Sequence, residues 1–386
     1  MMAGFNQDGG SELATNQPNI ELSGPDITDA EIAAVAEVLR SGRLSLGPAV
    51  PRFEKAVADY VGVRHAVAVS SGTTGLHLLM RAIGVGPGDE VITTPFSFVA
   101  SSNCILYEGA RPVFVDIDPR TWNIDPARIE AAVTSKTKAV IPVNVFGQVT
   151  EMDRIMAIAS SRGLRVIEDS CESLGSRYKG RMSGSLADAG VFGFYPNKQI
   201  TTGEGGMITT NDDEIARLCV SMRNQGRDSG MGWLSHERLG YNYRLSDVAC
   251  AIGAVQMARI DEILAKRARV AGWYRQALAD EKRVSLQAVS PDCEMSWFVF
   301  VIKLADDFTE EDRGTLIEKL RAAGIGCSNY FAPIHLQKFY RERFGFGEGD
   351  FPICEAVADR TIALPFHNAL SQAQAQRVCD TLRANL

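Results

Sequence analysis

Between about residues 65 and 225, short strand-like apolar runs alternate with helical patterns at close spacing. The runs at 66–69, 91–94, 112–115, 139–145 and 165–168 are of strand length. Residues 76–82 read as helix, Asp125-Pro126 as an N-cap with Pro at the first helical position, and Thr150 as a further helix start. Upstream, Thr28-Asp29-Ala30-Glu31 is a capping box before Ile32, Val35, Val38 and Leu39. Close alternation of this kind demands a mostly parallel sheet covered by helices, an α/β architecture. Ligands of such sheets lie beyond the carboxyl ends of the strands, so the residues there are the first candidates for chemistry.

The remainder reads differently. Residues 246–278 form one long helical pattern without internal Pro, leading out of the large domain. The C-terminal stretch beyond it reads as α+β, with a strand at 296–304, a helix at 309–323 closed by Gly324, and a last helix near Ser371. The expected division is a flexible leader (1–20), a large α/β domain (21–250), and a linking helix with a small C-terminal α+β domain (251–386). The leader is polar and lacks the apolar stretch of a secretory signal.

Composition removes some classes of function. Lys and Arg number 40 against 47 Asp and Glu, a net charge of -7 without the basic excess of a nucleic-acid binder. No apolar stretch approaches the roughly 18 residues of a membrane span. The 8 Cys are scattered with no CxxC, as in a reduced cytoplasmic protein. The 5 His have no metal-ligand spacing, so no metal is expected.

Three strand-end features can carry chemistry. Lys198 follows Pro196 and precedes the Gly203-Glu204-Gly205-Gly206 turn, which reads as a tight hairpin. A lysine at the end of a buried element is costly unless its charge is paired or lost, and an imine with an aldehyde cofactor removes the charge. Alone, it reads as a solvated loop lysine. Asp169 ends a strand; it could keep a pyridine nitrogen protonated or simply cap a helix. Ser70-Ser71-Gly72-Thr73-Thr74-Gly75 joins strand to helix and could cup a phosphate on backbone N–H groups, or be an ordinary turn.

In combination and order, these features resemble fold-type I pyridoxal-phosphate (PLP) enzymes. The wording resembles the DegT/StrS-type sugar-nucleotide aminotransferases. The similar stretches are Ser71-Gly-Thr-Thr-Gly-Leu-His77, Thr94-Pro-Phe-Ser-Phe-Val-Ala100, Ile167-Glu-Asp169, Phe194-Tyr-Pro-Asn-Lys198 with Thr202-Gly-Glu-Gly-Gly206, Gly240-Tyr-Asn-Tyr-Arg-Leu-Ser-Asp247 and Pro333-Ile-His-Leu-Gln337. They span the chain from about Leu22 onward.

The resemblance implies a role at each matching position. Lys198 would hold the cofactor covalently and shuttle the substrate proton. Asp169 would pair with the ring nitrogen, and Gly72 and Thr73 with the phosphate. Phe98 would stack on the ring. Asn242 would reach the phosphate of a partner subunit, which makes the enzyme a homodimer with a shared site. His335 and Arg244 would face the substrate, Arg244 toward the diphosphate. Two positions depart from the family. Gly193 stands where many relatives have a phosphate-binding Ser. Glu172 stands where relatives often have Gln or His near the ring oxygen. A carboxylate there is repulsive, so Glu172 is expected to hold or share a proton, or to turn away.

The implied activity is transamination of a nucleoside-diphosphate keto sugar with L-glutamate, PLP alternating with pyridoxamine phosphate. Thr201-Thr202-Gly203-Glu204-Gly205-Gly206 looks more like the 4-keto-sugar enzymes than the 3-keto ones. The product would be an amino sugar for a polysaccharide, glycan or secondary metabolite. The alternatives are a 3-keto-sugar or cyclitol aminotransferase, a PLP lyase or dehydratase, and a regulatory or scaffold protein on a degenerate PLP fold. Related sugar dehydratases carry His in place of the lysine, which disfavours that activity here. No nucleic acid or membrane partner is expected.

Overall fold

The structure is a computed structural model that describes residues 18–386 apart from 229, 231 and 233. Nearly all of the expected leader lies outside the described residues. Among them, no helix is long and apolar enough to cross a membrane.

The alternating region forms a seven-stranded sheet. Across it the order is His65–Val69, Gly206–Thr210, Ala189–Gly193, Arg165–Asp169, Thr137–Val140, Glu90–Thr93 and Arg111–Phe114. Gly206–Thr210 runs antiparallel to both of its neighbours, while the other pairings are parallel. The central strands are buried along most of their length, which explains why they read as continuous apolar runs. Helices pack on both faces around separate apolar clusters, one holding Leu76, Leu79 and Ile208, another Phe53, Phe192 and Met207.

Register places the site. Val69 lies opposite Gly206, Gly206 opposite Gly193, and Asp169 opposite Val191. The carboxyl ends of His65–Val69 and Ala189–Gly193 thus meet the start of Gly206–Thr210 in one row, with Asp169 close beside it.

The helix-end signals at Thr28 and Asp125 are realised, whereas the helix expected to open at Thr150 begins at Met152 after an uncapped Glu151. Thr28 and Glu31 form the capping box of Asp29–Ser41, and Asp125 caps Pro126–Ala132. Three further expectations are corrected. The long pattern at 246–278 is two helices, Asp247–Ala258 and Ile260–Ala277, parted at Arg259. There the backbone leaves helical geometry (ψ 9°) while the guanidinium binds Asp26 at 3.0 Å and Glu31 at 2.8 Å. Helical spacing continues through that point because both helices bury apolar residues; the break is made by distant carboxylates. The strand expected from residue 296 begins at Phe300, because Trp297 has positive φ (55°) and Ser296 is held by Ser176. The 139–145 run is strand only as Thr137–Val140, giving way to a 3-10 turn at Val145–Gly147.

The second core is built on a three-stranded antiparallel sheet of Val284–Leu286, Phe300–Leu304 and Thr361–Leu364. Tyr274, Phe300, Leu320, Leu364 and Leu382 fill it together with Ile20, which bridges to Ile325. The helix Ile260–Ala277 contributes Val270, Ala271 and Tyr274 to this core.

Candidate active site

The turn 70–75 starts the helix Gly72–Ala82, with Ser71 as N-cap and its hydroxyl accepting from the Thr74 N–H at 3.1 Å. The amides of Gly72 and Thr73 are thus among those a helix leaves unpaired at its positive end. Close packing requires glycine here. A Cβ on Gly72 would lie 2.6 Å from the Cys171 sulfur, and one on Gly206 would lie 2.5 Å from the Ser71 carbonyl carbon. The second clash is with backbone, so the phosphate-type turn and the strand after the lysine loop interlock. If the turn holds the phosphate of PLP, Gly206→Ala is therefore expected to weaken PLP affinity roughly tenfold or more, since overpacking costs about 1–3 kcal/mol and 1.4 kcal/mol is tenfold. A PLP titration of the variant checks this; unchanged affinity would show that the turn does not hold the phosphate.

Asp169 ends its strand and is buried. Its Oδ2 accepts from the Ser101 hydroxyl at 2.6 Å and its Oδ1 from the Cys171 N–H at 3.2 Å. Ser101 also lies 3.2 Å from the Phe98 carbonyl, so the turn bearing Phe98 is tied to Asp169. The Phe98 ring is 62% exposed, an unusual state for Phe and one suited to stacking on a flat ligand.

Lys198 lies in the connection between the paired strands Ala189–Gly193 and Gly206–Thr210. This is no tight hairpin: residues 194–205 form a long loop. Its Nζ is 3.5 Å from Glu172 Oε1 and 3.8 Å from the centre of the Phe298 ring. Both side chains are largely buried. Gln199 donates to the Glu172 carbonyl at 2.6 Å, locking the lysine loop to the loop after Asp169. Glu172 Oε2 accepts from the Phe146 N–H at 2.9 Å. Burial pushes the Glu172 carboxyl up, with Lys198 and that N–H pulling less strongly the other way. Glu172 faces the lysine amine, a contact the sequence did not suggest. A Cβ on Gly193 would lie 3.4 Å from both Cβ and sulfur of Cys171, so Cys171 fills the adjoining space.

Gly72, Asp169, Glu172, Lys198 and the Phe98 turn thus converge. Asn242 lies outside this cluster, exposed, in a segment whose Tyr243 carbonyl accepts from the Ser70 N–H. Arg244 is half-buried and donates to Asn224 at 2.9 Å. The His335 imidazole has no exposed surface. It meets Glu355 at 3.0 Å and the edge of Phe351. Burial draws its pKa down, against the pull of Glu355. An open cleft of about 690 Å³ runs beside Phe98, lined also by Tyr107, Phe331, Lys338, Phe339 and Arg343.

Ser101, Cys171 and Phe298 were not singled out from the sequence. Ser101 and Cys171 sit next to stretches that were, so a closer reading of side chains beside Ala100 and Asp169 would have found them. Phe298 has no local signal; only the fold brings it to the lysine.

These residues fit PLP. The unpaired helix amides suit a phosphate, the strand-end carboxylate a ring nitrogen, the exposed phenylalanine a ring face and the enclosed amine an aldehyde. A family model described as the DegT/DnrJ/EryC1/StrS aminotransferase family matches residues 25–383. GDP-perosamine synthase of Caulobacter vibrioides is 41% identical over 95% of this chain and 98% of its own. Among solved structures, S. venezuelae DesV superposes with a TM-score of 0.89 at 33% identity, covering 95% of this chain and 98% of DesV. The Spr1654 sugar aminotransferase of Streptococcus pneumoniae, described as putative and solved in its PMP form, has a TM-score of 0.90 at 30% identity, over 95% of this chain and 99% of its own.

Proposed function

The chain belongs to the DegT/DnrJ/EryC1/StrS aminotransferase family, and from that premise we propose that it aminates a nucleoside-diphosphate-linked 4-keto-6-deoxy sugar with L-glutamate as donor. It is a PLP-dependent sugar aminotransferase of PLP fold type I. The observation that carries the chemistry is the Lys198 amine enclosed between Glu172 and Phe298, beside a strand-end Asp169. The similarity to a GDP-perosamine synthase supports a GDP-linked sugar as the first substrate to try.

When bound, PLP supplies an electron sink for the carbon that loses or gains a proton. The chain's residues do the rest. The Gly72 and Thr73 amides hold the phosphate at the positive end of their helix. Asp169, fixed by Ser101 and the Cys171 amide, keeps a proton on the ring nitrogen. Phe98 covers one ring face. Lys198 Nζ would take the proton from the substrate carbon and return it to the carbon on the other side of the nitrogen. Glu172 is close enough to hold a proton for that amine between the two events. We read the active unit as a homodimer in which exposed Asn242 completes the phosphate site of a second copy.

The test is a two-stage assay of the purified protein with PLP. Glutamate alone should convert the cofactor spectrum to the pyridoxamine form. Addition of a GDP-linked or dTDP-linked 4-keto-6-deoxy sugar should restore it, with one amino sugar formed per glutamate consumed. Exclusive turnover of 3-keto sugars or cyclitols would overturn the substrate reading, and product formation without stoichiometric glutamate would overturn transamination.

A further inference from the structure

Arg267, on the helix Ile260–Ala277, is 3% exposed, and the hydrogen bonds of its guanidinium go to backbone carbonyls. Nε donates to Trp297 O at 2.7 Å; Nη2 donates to Phe298 O at 2.7 Å and to Asn197 O at 3.3 Å. Its plane also lies over the Phe366 ring at 5.1 Å. Burial draws its pKa down to about 10, with distant Asp26 pulling the other way, so the cation persists at neutral pH. A buried cation satisfied only by carbonyls is a poor packing element, because an apolar side chain of similar volume avoids the desolvation.

The three carbonyls point to a different use. Asn197 immediately precedes Lys198. Phe298 supplies the ring 3.8 Å from the Lys198 amine. Trp297 has positive φ (55°), a conformation a bulky residue adopts only when its surroundings impose it. One planar, rigid fork therefore holds the backbone entering the lysine and the backbone presenting the ring beneath it. The fork sits on the helix that also packs into the second core, through Val270 and Tyr274.

We propose that Arg267 is the positioning residue of Lys198: it clamps Asn197, Trp297 and Phe298 so that the amine stands between the Phe298 ring and the Glu172 carboxyl. This rests on the reading of Lys198 as the lysine that bonds the cofactor.

The experiment compares wild type with Arg267→Met and Arg267→Lys by three measurements. The first is the rate at which apoprotein captures PLP covalently, trapped with borohydride and mapped to its lysine by peptide mass. The second is equilibrium binding of pyridoxine 5'-phosphate, which has no aldehyde and reads the phosphate and ring sites alone. The third is kcat and KM for glutamate. Capture at Lys198 and kcat should fall about 10- to 100-fold in Arg267→Met, as expected for a misplaced reacting group, with pyridoxine phosphate affinity and KM within about threefold. Arg267→Lys keeps the charge but cannot span three carbonyls; it should show the same split at smaller size, and carries the test if the methionine variant does not fold. Parallel loss of capture and analogue binding would make Arg267 a packing residue and overturn the proposal, as would no change in either. Capture by wild type at another lysine would instead overturn the reading of Lys198, and is seen before any substitution is made.

Discussion

Lys198→Ala is expected to lose transamination by at least about 10³-fold, because in the proposed mechanism it removes the group that moves the substrate proton, a role worth roughly 10²–10⁴ by itself, and the covalent hold on the cofactor as well. The variant should fold. The lysine lies in a loop, and the strands on either side of it are paired through Gly193 and Gly206, which are untouched. It should still bind PLP through the helix amides and Asp169, but without the band of the lysine-bound cofactor, and glutamate should not convert it to the pyridoxamine form at an appreciable rate. Stopped-flow absorbance on wild type and variant measures both effects. A variant that retains the band and responds to glutamate at more than a few per cent of the wild-type rate would place the reacting amine on another residue. Removing the amine also leaves Glu172 buried without its nearby cation, so the variant's Glu172 should be more firmly protonated.

Asp169→Asn should be the next most damaging change, lowering kcat about 10²–10³-fold, the scale for loss of one preorganised electrostatic partner of the reacting group. The substitution is nearly isosteric. The amide oxygen can accept from either the Ser101 hydroxyl or the Cys171 N–H, so Tm should fall by only a few degrees. What is lost is the negative charge that, in the proposed mechanism, keeps the ring nitrogen protonated. Circular dichroism melting alongside steady-state kinetics separates these effects. Activity within threefold of wild type would mean that Asp169 serves only as a structural acceptor, the capping role its strand-end position would equally allow.

Glu172 illustrates how a departure from a family pattern becomes intelligible in three dimensions. In sequence it is a carboxylate where relatives often have a neutral or basic group. In the structure one oxygen meets a backbone N–H and the other faces Lys198, while burial favours its protonated form. The carboxyl is thereby built into the lysine's surroundings. His335 runs the opposite way: its motif resembles the family's, yet its ring is wholly covered and engaged by Glu355.

By itself the sequence determined the alternation that makes the large sheet, because buried parallel strands must be apolar along their length and helices must expose one polar face. It also determined the caps at Thr28 and Asp125, because capping is a contact between residues two or three apart. The lysine, the strand-end aspartate and the glycine-rich turn were legible for a similar reason: each lies at a strand end or in the loop that follows one, where this architecture puts ligands. Only the tertiary structure decided the rest. The helix break at Arg259 depends on Asp26 and Glu31; the seat of Lys198 depends on Phe298 and Arg267; the fit of Gly206 depends on Ser71. Each of these contacts joins residues far apart in the chain, and no local propensity or spacing encodes them. They exist because packing two cores brings those backbones within a few ångströms, where a single guanidinium, ring or missing Cβ determines what fits.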